Sequence, residues 1–108
     1  MPLTITKDNF DKEIKQYDKP VIIEVFATWC GPCQQMKPIF SDLANEFEGR
    51  AKFAMLNVDE VRDLSILFGV TSVPTFIFYY NGEMHSKDTG YISKEALRTR
   101  IEDFIATV

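Results

Sequence analysis

The sequence has few of the residues that hold metal ions or cross-link small secreted domains. Among its 108 residues there are two cysteines, Cys30 and Cys33, and a single histidine, His85. A structural zinc site needs four ligands, usually cysteine or histidine, and an iron–sulfur cluster needs as many cysteines. A secreted scaffold stabilised by disulfides would carry more cysteines than two. We therefore expect no metal site and a fold that does not depend on disulfides.

The sequence also lacks a net positive charge and long apolar runs. Acidic residues outnumber basic ones by 16 to 12, and the formal net charge of −4 argues against nucleic acid or an anionic membrane as a partner. No apolar run approaches the ~18 residues of a membrane span. The start, MPLTITKDNF, has neither the basic end nor the apolar stretch of a signal peptide. These features predict a cytoplasmic protein, although a mature form with a new Met1 would begin in the same way.

The chain has the length and the 45% hydrophobic content of one globular domain, which we place over residues 1–108. Its apolar segments alternate between the two periodicities of strands and helices. The segments PVIIEVFA (20–27), AKFAMLNVD (51–59) and TFIFYY (75–80) are typical of buried strands. Asn81-Gly82 then predicts a hairpin whose second strand covers residues 83–89.

Four segments have the periodicity of amphipathic helices. The first begins at a Thr6 cap and runs for about ten residues, and the second follows CGPC and extends to about Glu48. A short helix with Val61, Leu64, Leu67 and Phe68 ends at Gly69, and Ser93 caps the last helix. Since strand–helix–strand connections are right-handed and parallel, the sequence predicts an α/β fold with a mixed sheet and helices on both faces.

The two cysteines belong to the stretch TWCGPCQ (28–34), where a buried strand is predicted to end and a helix to begin. Unpaired backbone N–H groups and the helix dipole at this junction favour the thiolate of Cys30 and lower its pKa. Cys33, one helical turn later, is placed to attack a mixed disulfide formed at Cys30. Pro32 suits the first helical turn, and Gly31 leaves room for a substrate chain. A CxxC pair in a βαβ unit indicates thiol–disulfide redox chemistry, whereas a purely structural disulfide would close too small a loop to stabilise the fold much.

From about Phe10 to Val108 the chain resembles the thioredoxin family. The resemblance is carried by FATWCGPC, MKPIF, LNVDE, GVTSVPTFIFYYNGE and GYISKEAL, which follow the order and spacing of the family pattern. It implies the thioredoxin fold, a central mixed five-stranded sheet flanked by four helices, and a monomeric protein-disulfide reductase without a bound cofactor. Electrons would come from NADPH through a thioredoxin reductase, and disulfide-containing proteins would be the substrates.

The resemblance also implies roles for residues around the cysteines. Trp29 would flank and shield the nucleophile, Val58 would form a hydrophobic rim, and Gly90 would let a substrate approach. Pro74 is expected to be cis and to lie against the two sulfurs, while Val73 offers backbone hydrogen bonds to a substrate strand. The residues alone leave a second interpretation open, in which Pro74 and Gly90 only mark the ends of strands and have no role in substrate binding.

Two positions depart from the family pattern. Glu24 lies in an apolar strand where the family more often has an aspartate, and Met55 stands where many members have a lysine that faces this carboxylate. Burial should raise the pKa of Glu24, which suits a group that takes the proton of Cys33 through water. A structural acid with its own hydrogen bonds is the alternative. Because Met55 supplies no countercharge, Glu24 should be protonated more often near neutral pH than a lysine-paired acid.

Two other functions remain open at this point. An oxidase or isomerase can use the same fold, although the Gly31-Pro32 pair between the cysteines is the reducing version in the family. A non-catalytic binding module, serving as an accessory subunit or chaperone, would use the surface of Trp29, Val58, Val73 and Gly90 without redox chemistry.

Overall fold

The computed structural model describes all 108 residues and contains a five-stranded mixed sheet with helices on both faces. The strands are β1 (Leu3–Thr4), β2 (Val21–Phe26), β3 (Lys52–Asn57), β4 (Thr75–Tyr80) and β5 (Glu83–Thr89), and their spatial order is β1-β3-β2-β4-β5. The strands β1 and β2 pair with β3 in parallel, whereas β4 is antiparallel to both β2 and β5. The helices are a π-helical turn (Asp11–Lys15), α1 (Gly31–Glu46), α2 (Arg62–Leu67) and α3 (Lys94–Thr107). The expected thioredoxin fold, with five strands and four helices, is confirmed.

Strand β2 is apolar along almost its whole length because both of its faces are covered. Ile22 and Ile23 are both 0% exposed, yet they point to opposite faces of the sheet. Ile22 belongs to the core cluster formed with α1 and α3, and Ile23 belongs to the cluster under the π-helical turn and α2. The continuous apolar run 20–27 is thus explained by two cores that share one strand.

The hairpin and the last helix form as their turn and cap residues predict. Asn81 and Gly82 have φ values of 54° and 83°, the left-handed conformation that a two-residue hairpin loop requires. The hydroxyl of Ser93 accepts a hydrogen bond of 3.2 Å from the backbone N–H of Ala96, and α3 begins at the next residue, Lys94. No helix combines the length and the apolar character needed to cross a membrane.

The first helix is shorter than predicted. Thr6 does act as a cap, because its hydroxyl accepts from the backbone N–H of Asn9 at 3.1 Å. In return, Asn9 Oδ1 accepts a bond of 2.8 Å from the N–H of Thr6, and Asn9 Nδ2 donates to the carbonyl of Thr4 at 2.9 Å, so this side chain ties the segment to β1. The N–H of Phe10 bonds to the carbonyl of Thr6 at 3.2 Å in one α-type turn. The π-helical turn Asp11–Lys15 follows and closes with a π-type bond from Gln16 N–H to the carbonyl of Asp11.

Helix α2 is short and only partly buried. Val61 and Phe68 at its two ends lie in the core, but Ile66 and Leu67 are 69% and 72% exposed, so Leu67 is not part of the buried face. Gly69 follows with a φ of +67°, as expected for a glycine that ends a helix. The helix lies along one side of a groove that begins at Cys30.

Candidate active site

Cys30 and Cys33 form a disulfide at the junction of β2 and α1, where the sequence predicts it. Cys30 is the N-cap of α1, and its Sγ accepts a hydrogen bond of 3.2 Å from the backbone N–H of Cys33. The two residues are 6% and 3% exposed. The first turn of α1 therefore offers a backbone donor and the positive end of a helix dipole to the Cys30 sulfur.

The Val73–Pro74 segment lies directly opposite this sulfur. The peptide bond between these residues is cis, and the carbonyl oxygen of Val73 is 3.7 Å from Cys30 Sγ. Thr75 fixes the loop through a 2.7 Å bond from its hydroxyl to the carbonyl of Ser72. Pro74 is buried immediately before β4, and Val73 is half-buried against the two cysteines.

Gly90 is tied to the same loop through its backbone. Its N–H donates to the carbonyl oxygen of Pro74 at 2.8 Å, and its φ is +100°. A side chain at this position would meet no atom within 4 Å, so the conformation, and not the space, requires glycine here.

Trp29 is held by a residue that the sequence reasoning missed. The indole is 71% exposed, and its Nε1–H donates to Asp59 Oδ2 at 3.0 Å. Trp29 follows β2 and Asp59 follows β3, so the two residues meet because neighbouring parallel strands end at the same edge of the sheet. This adjacency of strand ends was the only signal in the sequence that pointed to Asp59.

A groove of about 710 Å³ begins at Cys30. Five of the predicted substrate-binding residues line it together with Cys30, namely Trp29, Gly31, Pro32, Val58 and Val73. Cys33, Pro74 and Gly90 are not part of its lining. Its far side is formed by α2 and the following loop, which contribute Arg62, Ile66 and Val70, residues that the sequence reasoning did not select.

Glu24 is buried in the middle of the sheet. It is 0% exposed, and it pairs in register with Met55 on β3 and Phe76 on β4. Neither carboxylate oxygen has a hydrogen-bond partner among the protein's own groups. Burial raises the pKa of Glu24 to about 8, and the positive charge of Lys37 on α1 opposes this shift only in part.

His85 is exposed on β5, where its ring lies 5.7 Å from that of Phe104. No group of three or more histidine, cysteine, aspartate or glutamate side chains is placed to hold a metal ion.

The amino-acid sequence was compared with protein-family models and with curated proteins. The thioredoxin family model matches residues 1–103. The chain is 35% identical over 100 residues to a thioredoxin of Chlorobaculum thiosulfatiphilum, covering 93% of both chains, and 37% identical over 103 residues to one of Alicyclobacillus acidocaldarius, covering 95% of this chain and 97% of the relative. It is also 33% identical over 101 residues to a chloroplastic M-type thioredoxin of Pisum sativum, covering 94% of this chain and 59% of the relative. With its CxxC pair at disulfide distance, the chain belongs to the thioredoxin family and is a thiol–disulfide oxidoreductase of the protein-disulfide reductase type.

Proposed function

We propose that Cys30 is the nucleophile and Cys33 the resolving cysteine in the reduction of protein disulfides. The observation that carries this assignment is that Cys30 lines the groove, whereas Cys33 does not. A substrate disulfide in the groove can therefore reach Cys30 Sγ first. The hydrogen bond from the Cys33 N–H supports negative charge on that sulfur, and the thiolate is the attacking species.

The reaction proceeds by two thiol–disulfide exchanges. The Cys30 thiolate attacks one sulfur of the substrate disulfide, and the other substrate sulfur leaves as a thiolate. Cys33, after losing its proton, attacks Cys30 Sγ in the mixed disulfide and releases the second substrate thiolate. Two electrons pass to the substrate, and the Cys30–Cys33 disulfide remains.

Glu24 is proposed to take the proton of Cys33 through a water molecule. By strand alternation it shares the face of β2 with Ile22, the face under α1, whose first turn carries Cys33. Its pKa of about 8 is close to the ordinary value for a thiol, about 8.5, which suits proton exchange between the two groups. The role also gives a reason for a carboxyl group in a strand that is otherwise apolar.

The groove and its rim are the proposed substrate-binding surface. Val73, whose carbonyl oxygen is 3.7 Å from Cys30 Sγ, offers its backbone to a substrate strand, and the cis bond to Pro74 is proposed to set the direction of that backbone. Gly31 lines the groove without a side chain and so leaves room there for the substrate backbone. Gly90 is proposed to do the same beside the Val73–Pro74 segment, to which its N–H is bonded through the carbonyl of Pro74. The side chains of Trp29, Pro32 and Val58 supply apolar contact area.

Members of this family need no bound cofactor. We propose that a thioredoxin reductase returns electrons from NADPH to the Cys30–Cys33 disulfide.

We also propose that residues 1–108 act as a single domain, as a monomer and in the cytoplasm, where thiols are kept reduced.

Reduction of insulin disulfides coupled to NADPH through a thioredoxin reductase tests this function. Oxidation of NADPH should require insulin and this protein together, and the double variant Cys30→Ser/Cys33→Ser should abolish it. Folded wild-type protein without activity in this assay would favour the binding-module alternative. A reduction potential near the oxidising end of the range would favour the oxidase or isomerase instead.

A further inference from the structure

Arg62 differs from the other arginines in having no carboxylate partner. The other three form ion pairs, which are Arg50–Glu102, Arg98–Glu46 and Arg100–Asp88. Arg62 is exposed at the start of α2 and forms neither a salt bridge nor a side-chain hydrogen bond. Its guanidinium, with five donors in a planar fork, is available to a ligand.

Arg62 lies in the same groove as the reactive sulfur of Cys30. Arg62 lines the groove that begins at Cys30, and Ile66, one helical turn further along α2, lines it as well. Asp59 is the other charged residue in the lining, and it keeps its negative charge while its carboxylate accepts the Trp29 Nε1–H at 3.0 Å. It forms no salt bridge with Arg62. The α2 side of the groove therefore has an aliphatic wall and an exposed guanidinium that forms no salt bridge, although the acidic residues Glu60 and Asp63 lie close to it in the chain.

We propose that this side of the groove binds the segment of a substrate protein next to its reactive cysteine, and that Arg62 selects substrates with a carboxylate in that segment. The inference rests on the proposed function, because the concavity that contains Cys30 also contains Arg62, Ile66 and Val70 and so offers a path for the chain on one side of a substrate cysteine bonded to Cys30. An aliphatic substrate side chain would lie against Ile66 and Val70. The net charge of −4 means that the protein as a whole repels acidic partners. A preference for an acidic segment would therefore be a local effect of Arg62 and not an effect of the overall charge.

The expected effect is modest and depends on salt. An exposed ion pair contributes up to about 1 kcal/mol, which corresponds to a preference of about two- to fivefold for an acidic over a basic segment. A charge at the rim of an interface acts largely on the association rate, so the preference should shrink as ionic strength rises.

Binding of two matched peptides separates this inference from the proposed function. Each peptide has one aliphatic residue and a serine in place of the reactive cysteine, and the two differ only in a glutamate or a lysine. They are titrated into the ¹⁵N-labelled oxidised protein, and the shifts of the Ile66 and Val70 amides are followed. No disulfide exchange is needed, so the result stands even if the insulin assay fails.

Wild type should bind the glutamate peptide about two- to fivefold more tightly, and Arg62→Glu should prefer the lysine peptide. The control Lys12→Glu makes the same change of charge at an exposed residue outside the groove, and it should keep the wild-type preference. An unchanged preference in Arg62→Glu would overturn the proposal. The absence of shifts at Ile66 and Val70 with either peptide would overturn it too.

Discussion

Glu24 and Met55 lie in register on the parallel strands β2 and β3. The neighbour of this fully buried carboxyl group is therefore an uncharged thioether side chain and not a cation. Neither oxygen of Glu24 is hydrogen-bonded within the protein, and its pKa is raised to about 8, chiefly by burial. The acid is therefore mostly neutral at pH 7 when the protein is folded. Two predictions, one on stability and one on the pKa itself, test this arrangement.

Replacement of Glu24 by glutamine should stabilise the protein increasingly as pH rises. The folded-state pKa of Glu24 is about 8 and the unfolded value is near 4.5, so between these values the folded state binds more protons and wild-type stability falls with pH. Glutamine does not titrate. The difference in free energy of unfolding between Glu24→Gln and wild type should grow by up to about 1.4 kcal/mol per pH unit over this window. Urea unfolding at pH 5, 6, 7 and 8 measures it, and a constant difference would contradict the pKa.

Met55→Lys should lower the pKa of Glu24. An ammonium group on the neighbouring strand favours the charged carboxylate, and a nearby opposite charge typically lowers such a pKa by 1 to 3 units. The apolar control Met55→Leu should leave it near the wild-type value. Carboxyl ¹³C chemical shifts followed against pH report the pKa directly, and the pH dependence of insulin reduction should move in the same direction. If the lysine variant titrates like wild type, Met55 is not the reason for the high pKa.

Alanine should have different effects at Gly31 and Gly90. Gly31 is a helical residue with open space around its Cα, so Gly31→Ala should change the free energy of unfolding by less than about 0.5 kcal/mol. Gly90 has a φ of +100°, and Gly90→Ala should cost about 1–2 kcal/mol in backbone strain. If Gly31 admits the substrate backbone, its alanine variant should lose activity on insulin but keep activity on hydroxyethyl disulfide. Equal loss on both substrates would contradict this role.

Lys87 should stabilise the end of α2. Its ammonium donates to the carbonyl oxygens of Phe68 and Gly69 at 3.1 and 2.7 Å, next to the loop that leads to Val73. Lys87→Met should lose about 1–2 kcal/mol of stability, because two charge-assisted bonds disappear. Hydrogen exchange should become faster at the backbone amide of Val70. Lys87→Arg should recover part of the loss, whereas an unchanged exchange rate in Lys87→Met would show that the contact does not stabilise this segment.

Much of the site follows from local sequence signals. The pair Cys30–Cys33 could be placed because an apolar run and an amphipathic pattern meet at this point, and both patterns are long enough to be unambiguous. The burial of Glu24 followed from the same apolar run. The cis geometry at Pro74 came from the family resemblance, since the residues alone were also compatible with a strand end.

The α2 side of the groove could not be predicted in this way. A six-residue helix is too short for its periodicity to decide which face is buried, and Leu67 is exposed although the pattern grouped it with Phe68. The strand β1 has two residues, too few for an alternating pattern, and its pairing with β3 depends on tertiary structure. The contact between Trp29 and Asp59 likewise arises only when β2 and β3 lie side by side.

The most direct test of the central claim is the trapping of a mixed disulfide by Cys33→Ser. Without the resolving thiol, the bond between Cys30 and the substrate should persist after incubation with an oxidised protein substrate. Non-reducing mass spectrometry should then show a covalent adduct linked through Cys30 Sγ, and reductant should release it. Neither Cys30→Ser nor the double variant should form this adduct. Trapping by Cys30→Ser but not by Cys33→Ser would reverse the assigned roles and contradict the account.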